Sequence, residues 1–358
     1  MTPLKELLDR IRQEEKLPDV VAGRCVHEIV DMASCSSCVD ACPQQAWSLD
    51  DEALCLDTTH CDGCGLCMPA CPEGAISVDH EVLVGEWEQR KIALCACEKA
   101  GMPQKTGVVP CVHLFGLKDI LKLQKLGYSE WFVATGSCSE CKRNQGVKLA
   151  DRVDEVNLAL SDTQVQLLTI HLLNKVEWQR VSTQLVEGLA ASRLSRRGFL
   201  RGMLDGGVGS RSVVMELYEN DSEDFTTPGE LMPERDLFSV WPNLPCIDAV
   251  HCNGCDACMK LCPHDAIELV DYGESICYRI APQACSGCGI CMDACDLNAI
   301  TVKSWSRMET RDVALQRMKC SSCGNLVHVP AESSLPSRIH CRICAQVNHQ
   351  KNLYQIVE

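Results

Sequence analysis

The sequence has no run approaching the roughly 20 consecutive apolar residues of a transmembrane helix, so no membrane-spanning helix is expected. Its opening residues, MTPLKELLDRIRQEEK, lack the apolar centre of a secretory leader. Leu4, Leu7, Leu8 and Ile11 instead recur at helical spacing with Pro3 in the first turn, which predicts a short amphipathic helix. Aromatic residues make up only 4%, too few rings for a base-stacking surface. The 34 basic residues are outnumbered by 49 acidic ones, for a formal net charge of -15. Phosphate recognition needs a basic surface, so nucleic acid is not an expected partner. Also missing are the phosphate loop G-x-x-x-x-G-K-S/T, the dinucleotide G-x-G-x-x-G, H-E-x-x-H and G-x-S-x-G, and no catalytic constellation replaces them. An acidic surface of this kind suits docking against a basic patch on a redox partner, steered electrostatically and weakened by salt.

What the chain has in excess is cysteine, 28 of 358 residues. That number fits either a secreted disulfide scaffold or a reduced, metal-loaded protein, and the arrangement decides between them. Most of the cysteines lie in Cys-x2-Cys units, whose members are too close to build a disulfide framework with each other. Metal ligation in a reducing compartment is therefore expected, and with it a cytoplasmic location. At this length the chain can form two or three domains with real cores.

Cys61 to Pro72, CDGCGLCMPACP, reads Cys-x2-Cys-x2-Cys-x3-Cys-Pro. Three thiolates two residues apart can curl around one face of a cube, and Gly63 and Gly65 let the backbone come close at positive φ. The fourth lies a helical turn further on, and the proline ends that turn. The run resembles that of bacterial ferredoxins, in which the fourth cysteine serves the other of two [4Fe–4S] clusters. Its partner upstream is Cys35-x2-Cys38-x3-Cys42-Pro43, where Met32 stands in place of a first ligand. Crossed ligation then assigns Cys42, Cys61, Cys64 and Cys67 to one cube, and Cys35, Cys38 and Cys71 to the other, with Cys25 as the substitute ligand. A three-iron cluster or a non-cysteine ligand is the alternative. Cys55, in the strand-like LCLD, reads as a small buried hydrophobe.

From residue 91 the pattern changes. KIALCA (91–96), WFVAT (131–135) and VQLLTI (165–170) read as strands, separated by helical stretches at 116–126 and 142–160 and followed by LLNKVEWQRVSTQLVEGL. Strands alternating with helices predict a small parallel α/β sheet, whose carboxyl-end loops are where such folds hold cofactors. Cys95, Cys97, Cys111, Cys138 and Cys141 fall at strand ends or turns. PCVHLFGLKDILKLQKLGYSEWFVATGSCSECKRNQG resembles the delta subunit of methyl-viologen-reducing hydrogenase, over about residues 91 to 190. That resemblance implies a [2Fe–2S] or other cluster held by Cys111, Cys138 and Cys141 with Cys95 or Cys97. It also implies electron transfer between a hydrogenase or formate dehydrogenase and a flavoprotein. The sequence departs from the family in having Cys95-x-Cys97 where the family has Cys-x2-Cys. On the residues alone, the alternative is that Cys138 and Cys141 hold zinc or are free thiols.

SRLSRRGFLRGMLDGGVGSR (192–211) is basic and glycine-rich, and an acidic stretch follows at 216–236; together they read as a linker over 191–240. The twin-arginine-like Ser195–Arg201 is internal and lacks an uninterrupted apolar stretch behind it. Accessory ferredoxins of periplasmic nitrate reductase carry a similar stretch, so the second half resembles them.

Beyond it, Cys252-x2-Cys255-x2-Cys258-x3-Cys262-Pro263 and Cys285-x2-Cys288-x2-Cys291-x3-Cys295 form a complete second pair. CPHDAIELV and CDLNAITV echo CPEGAISV, an internal duplication. Crossing assigns Cys252, Cys255, Cys258 and Cys295 to one cube and Cys262, Cys285, Cys288 and Cys291 to the other. Cys246 and Cys277 are extra, Cys277 in a strand. The tail carries Cys320-x2-Cys323 and Cys341-x2-Cys344, the spacing of a zinc ribbon with two hairpin knuckles; rubredoxin-type iron shares that geometry. His328, His340 and His349 read as surface residues, since four cysteines leave no vacant ligand position.

The expected fold class is α+β multidomain. A ferredoxin-like module occupies 1–85, an α/β iron–sulfur domain 90–190, a linker 191–240, a second ferredoxin-like module 241–305 and a zinc ribbon 315–358. Four [4Fe–4S] clusters, one further cluster and zinc make an electron-transfer subunit of an oxidoreductase complex the expected function. An accessory protein for cluster insertion and a redox sensor are the alternatives.

Overall fold

The computed structural model describes residues 17–50, 54–103, 105–144, 146–193, 213–216, 225–234, 236, 239–333 and 339–346. The expected N-terminal helix, the twin-arginine-like stretch and His349 lie outside them. Internal contacts divide the chain into two compact units: Met1–Ile29 with Ser36–Glu234, and Val30–Cys35 with Arg235–Glu358.

The first unit opens with β1 (Asp19–Val20), α1 (Val26–Ile29), α2 (Ser37–Asp40), β2 (Trp47–Leu49), β3 (Leu54–Leu56) and β4 (Ile76–Ser77). β1 pairs antiparallel with β4, and β2 with β3. The core here is small: Trp47 and Ile76 pack with Cys38 and Cys67.

A mixed sheet follows, with β5 (Glu81–Trp87), β6 (Arg90–Cys97), β7 (Val108–Val109), α3 (Leu117–Lys125), β8 (Glu130–Ala134), α4 (Leu149–Leu160), β9 (Thr169–Leu172), α5 (Lys175–Arg193), β10 (Val213–Glu216) and α6 (Pro228–Leu231). The order is β10-β5-β6-β8-β9, with β7 beside β6. β6, β7, β8 and β9 run parallel, as the alternating pattern predicts, while β5 and β10 extend the sheet antiparallel. The β5–β6 hairpin turns through Glu88 and Gln89, both at positive φ (50° and 64°), the pairing a tight two-residue hairpin requires. Ile92, Leu94, Phe132, Trp178 and Leu185 form the core between sheet and α5, and the Trp178 indole donates to the Cys95 carbonyl at 3.0 Å.

Three sequence expectations need correction. α4 begins at Leu149, not at 142, because residues around Cys141 are spent in a turn (Asn144 N–H to Cys141 O, 2.9 Å). β9 starts at Thr169, since the Leu168 backbone is held by both ends of the Asn157 amide at 2.8 Å instead of by a strand. The expected linker is partly built into the fold: β10 lies against β5, and α6 is closed by a Thr227–Glu230 capping box.

The second unit contains β11 (Val240–Ile247), α7 (Ala257–Lys260), β12 (Ile267–Asp271), β13 (Ile276–Ile280), α8 (Ile290–Asp293), β14 (Ile300–Arg307), β15 (Asp312–Lys319), β16 (Leu326–Pro330) and α9 (Arg342–Gln346). β11 pairs with β14, repeating β1 with β4; β12 pairs with β13, repeating β2 with β3. β15 joins β13, so the tail is no separate ribbon: its strands continue the module's sheet in the order β12-β13-β15-β16. Trp241, Leu244, Ile267, Tyr278 and Ile300 form the core, with ligand-candidate cysteines packed against it.

Candidate cluster and metal sites

Cys42, Cys61, Cys64 and Cys67 line one recess of the first unit. In the second unit Cys252, Cys255, Cys258 and Cys295 line another, and Cys262, Cys285, Cys288 and Cys291 a third. Each recess takes three thiols from one run and the fourth from the end of the other. Left-handed residues make the curl within a run: Gly63 and Gly65, Gly254 and Asp256, Gly287 and Gly289 all have positive φ.

The run-ending cysteines share a second device that the sequence reading missed. Three residues after each comes a left-handed residue (Gln45, Gly74, Asp265, Asn298), then a buried alanine. That turn aims the alanine N–H back at sulfur: Ala46 to Cys42, Ala75 to Cys71 and Ala266 to Cys262 at 3.3 Å, and Ala299 to Cys295 at 3.2 Å. The repeated Cys-x3-Ala was its signal. N–H groups aimed at sulfur favour the thiolate.

Burial opposes ionisation. It pushes Cys64, Cys67 and Cys258 up to about 12, and drives Cys291 upward as well. Buried thiols that face one another in fours, and are costly to ionise alone, suit a metal or cluster whose positive charge stabilises the thiolates.

The remaining predicted set is gathered less fully. Cys38 and Cys71 belong to the small core around Trp47 and Ile76. Cys25 is half-buried at the end of the single turn Ala22–Arg24, its N–H bonded to Ala22 O at 2.8 Å. Cys35 falls in the segment Val30–Cys35.

In the central sheet, Cys97, Cys111, Cys138 and Cys141 line a recess with His113 and Arg143, at the carboxyl ends of β6 and β8. Cys95 lines no part of it. A Cys-x-Cys pair on a strand points to one face, and only Cys97 stands at the strand's end; Cys95 is fully buried, which drives its thiol pKa up. Burial also raises Cys111, to about 11. Cys97 Sγ accepts the Lys99 N–H at 3.3 Å. Gly136 brings the loop after β8 close, since a Cβ there would stand 2.8 Å from Lys99 O. Leu149 N–H donates to His113 Nδ1 at 3.1 Å, which leaves the proton on Nε2, 3.9 Å from Cys138 Sγ. His113 was not expected at the site; its place two residues after Cys111 is the signal in hindsight. The recess holds about 320 Å³ out to its mouth, against 300 to 350 Å³ for the other three, so size does not select the cluster type.

The sulfurs of Cys320, Cys323, Cys341 and Cys344 all lie within 4.8 Å of one another. Cys320 accepts the Cys341 N–H at 3.2 Å, and Cys341 the Cys344 N–H at 3.3 Å. Backbone N–H groups of Cys323 and Cys341 hold the Cys320 thiol well below its ordinary value. The first knuckle turns through Gly324 at φ 76°, while the second opens helix α9 and is not a hairpin.

Two expectations about single residues fail. Cys55 is exposed, its thiol 3.6 Å from Asp50, because the β2–β3 hairpin buries only its other face. His328 is no surface residue: its Nε2 lies 2.7 Å from Asp256 Oδ1 and 3.2 Å from the Tyr278 hydroxyl. Cys277 is buried in β13, Cys246 half-buried in β11, and His340 sits beside Ser322 at 2.8 Å.

Against known families, residues 33–75 match the 4Fe-4S dicluster domain, and residues 251–273 with 282–296 match a 4Fe-4S binding domain. The chain carries ferredoxin-like 4Fe-4S domains. No curated protein matches the chain. The two matched stretches are those whose thiols line the three four-cysteine recesses of the modules, so their chemistry is that of an iron–sulfur protein. Among the described residues no helix is long and apolar enough to cross a membrane.

Proposed function

We propose that the chain is an iron–sulfur electron-transfer subunit that relays single electrons between a catalytic oxidoreductase and a redox partner. The observation that carries this is the crossed grouping of four thiols in each of three recesses. With every iron of such a group ligated by protein, the bound cluster supplies one-electron chemistry and no position for substrate. The protein's part is to hold thiolates, aim N–H groups at sulfur and shield the site, the levers that set a potential. Cys25, Cys35, Cys38 and Cys71 are the proposed ligands of a fourth cube, Cys97, Cys111, Cys138 and Cys141 those of the central cluster, and Cys320, Cys323, Cys341 and Cys344 those of zinc. A hydrogenase, formate dehydrogenase or flavoprotein is the proposed partner, on the resemblance of the central domain.

The test is anaerobic purification of the full chain with iron, sulfide and zinc counted on one sample and copurifying proteins identified. About eighteen iron per chain, four cubes and one two-iron cluster, with a stoichiometric redox enzyme, is the expected result. Far less iron, or binding to an immature enzyme alone, would replace this reading with the accessory one.

A further inference from the structure

In the first compact unit one thiol of the central set and one of the first module's set share a buried cluster: Cys111 packs with Cys64 and Leu66. The guanidinium of Arg143 lies beside that contact. Arg143, with its side chain only 8% exposed, donates from Nε to Asp62 Oδ2 at 2.6 Å and from Nη2 to Asp62 O at 3.1 Å. Its Nη1 donates to Glu98 Oε1 at 2.8 Å and to Pro110 O at 2.9 Å. Every partner adjoins a proposed ligand: Asp62 follows Cys61, Glu98 follows Cys97, and Pro110 precedes Cys111, while Arg143 itself lies two residues after Cys141.

We propose that Arg143 is the positioning residue that ties the central thiol recess to the recess of Cys42, Cys61, Cys64 and Cys67 and makes the two sites an electron-exchanging pair. The proposal rests on the electron-transfer reading of both sites. One electron leaves one site and enters the other across the Cys111–Cys64 contact; the first is oxidised by one equivalent, the second reduced by one, and no proton moves. A reduced flavin or reduced iron–sulfur centre of a partner replenishes the donor site. A guanidinium stays cationic in proteins, and its charge is paired with Asp62 and Glu98. A cation in a poorly screened place stabilises the more negative, reduced form at both sites. Without it, the negative charges of Asp62 and Glu98 are less fully compensated and reduction becomes harder at each site.

The experiment uses the full chain, loaded anaerobically, with dithionite as reductant. It reads iron content, a potentiometric EPR titration and the spin–spin broadening between sites. Cys138→Ala removes the central group and with it one component of the broadening. Arg143→Gln shifts both potentials down with iron content unchanged, Arg143→Lys restores most of the shift, and Glu98→Gln moves both potentials up. Should Arg143→Gln lose iron, Glu98→Gln carries the test of sign alone. Full iron in the wild type with no broadening that Cys138→Ala abolishes would overturn the pairing. Potentials unmoved in Glu98→Gln would overturn the role of Arg143. Iron content unchanged by Cys138→Ala is a different result: the central thiols then hold no iron, and it is the reading of that site that falls.

Discussion

The two ferredoxin-like modules set the same pairs of strands around similar runs of cysteine, yet two differences within one loop give them different attachments. Between the first and second cysteines stand Asp62 in one module and Asn253 in the other. Both side chains accept the next cysteine's N–H at 3.2 Å, Cys64 and Cys255 respectively, so the ligand-positioning role is common. Only Asp62 carries a charge, and only it holds Arg143. Three positions later stand Gly65 and Asp256, both left-handed (φ 75° and 65°). At Gly65 the missing side chain leaves room for Leu114 of the central domain, 3.3 Å from where a Cβ would sit. Asp256 accepts a left-handed conformation that costs about 1–2 kcal/mol, offset by hydrogen bonds from Tyr278 Oη at 2.6 Å and with His328 at 2.7 Å. Burial works against its carboxylate charge, but His328 and Tyr278 prevail and hold it below the ordinary range. The ligand frame is thus common property, and this loop is where each module is fastened to what the chain adds: the central sheet in one case, the β15–β16 hairpin in the other.

The most disruptive way to break the comparison is at Gly254. An added Cβ would lie 2.1 Å from the His328 carbonyl, with the backbone at φ 69°. Neither can yield cheaply, so Gly254→Ala is expected to cost on the order of 4 kcal/mol or more. The measurement is hydrogen exchange, with protection lost along β16. Gly65→Ala meets only a leucine side chain and left-handed strain, about 1–2 kcal/mol, read as a modest fall in denaturation midpoint. Equal effects would mean that the two loops are fastened alike.

Next in size is ligand removal. Cys255→Ala is expected to lose the one group held by Cys252, Cys255, Cys258 and Cys295, about four iron per chain. Cys64→Ala does the same in its own recess and also opens a void beside Cys111, so the central site should lose occupancy too. Iron and sulfide analysis with EPR separates the outcomes. Identical losses in both variants would show that the Cys64–Cys111 contact is incidental. On the proposal that Cys320, Cys323, Cys341 and Cys344 hold zinc, chelation should loosen β15 and β16 while leaving exchange in the first unit unchanged. Loss of protection in β5 or β6 on chelation would contradict that.

How much of this was readable beforehand follows from distance along the chain. Which thiols share each of the three four-cysteine recesses was legible, because ligands within a run are fixed by two or three intervening residues and the crossing rule supplies the fourth. The parallel core of the central sheet was legible in its apolar runs. Pairings between distant segments were not: β10 against β5, β15 against β13 and Asp256 with His328 leave no local period. Cys95 and Cys97 share a face in any strand, so only the end of β6 distinguishes them. Cys55 shows the same limit, since a three-residue strand does not say which face is buried.

The smallest expected effect concerns a feature that both modules keep. Asp57 and Asp248 each stand three residues before a histidine and four before the first cysteine of a run, with the histidine Nδ1 2.7 Å away in both. Thr59 and then His60 hold Asp57 well below its ordinary value, and His251 does so for Asp248. A depressed folded pKa means stabilisation that is present above the unfolded value, about 3.9, and lost as pH falls through the folded one. Both pairs are exposed and screened by salt, so the contribution is small. Asp57→Asn and Asp248→Asn should therefore lower the melting temperature slightly at neutral pH and flatten its acid limb, more for Asp57, which also accepts the Thr59 hydroxyl at 2.6 Å, than for Asp248, where Val250 offers none. Equal acid limbs would mean that the Thr59 hydroxyl adds nothing to the turn ahead of Cys61.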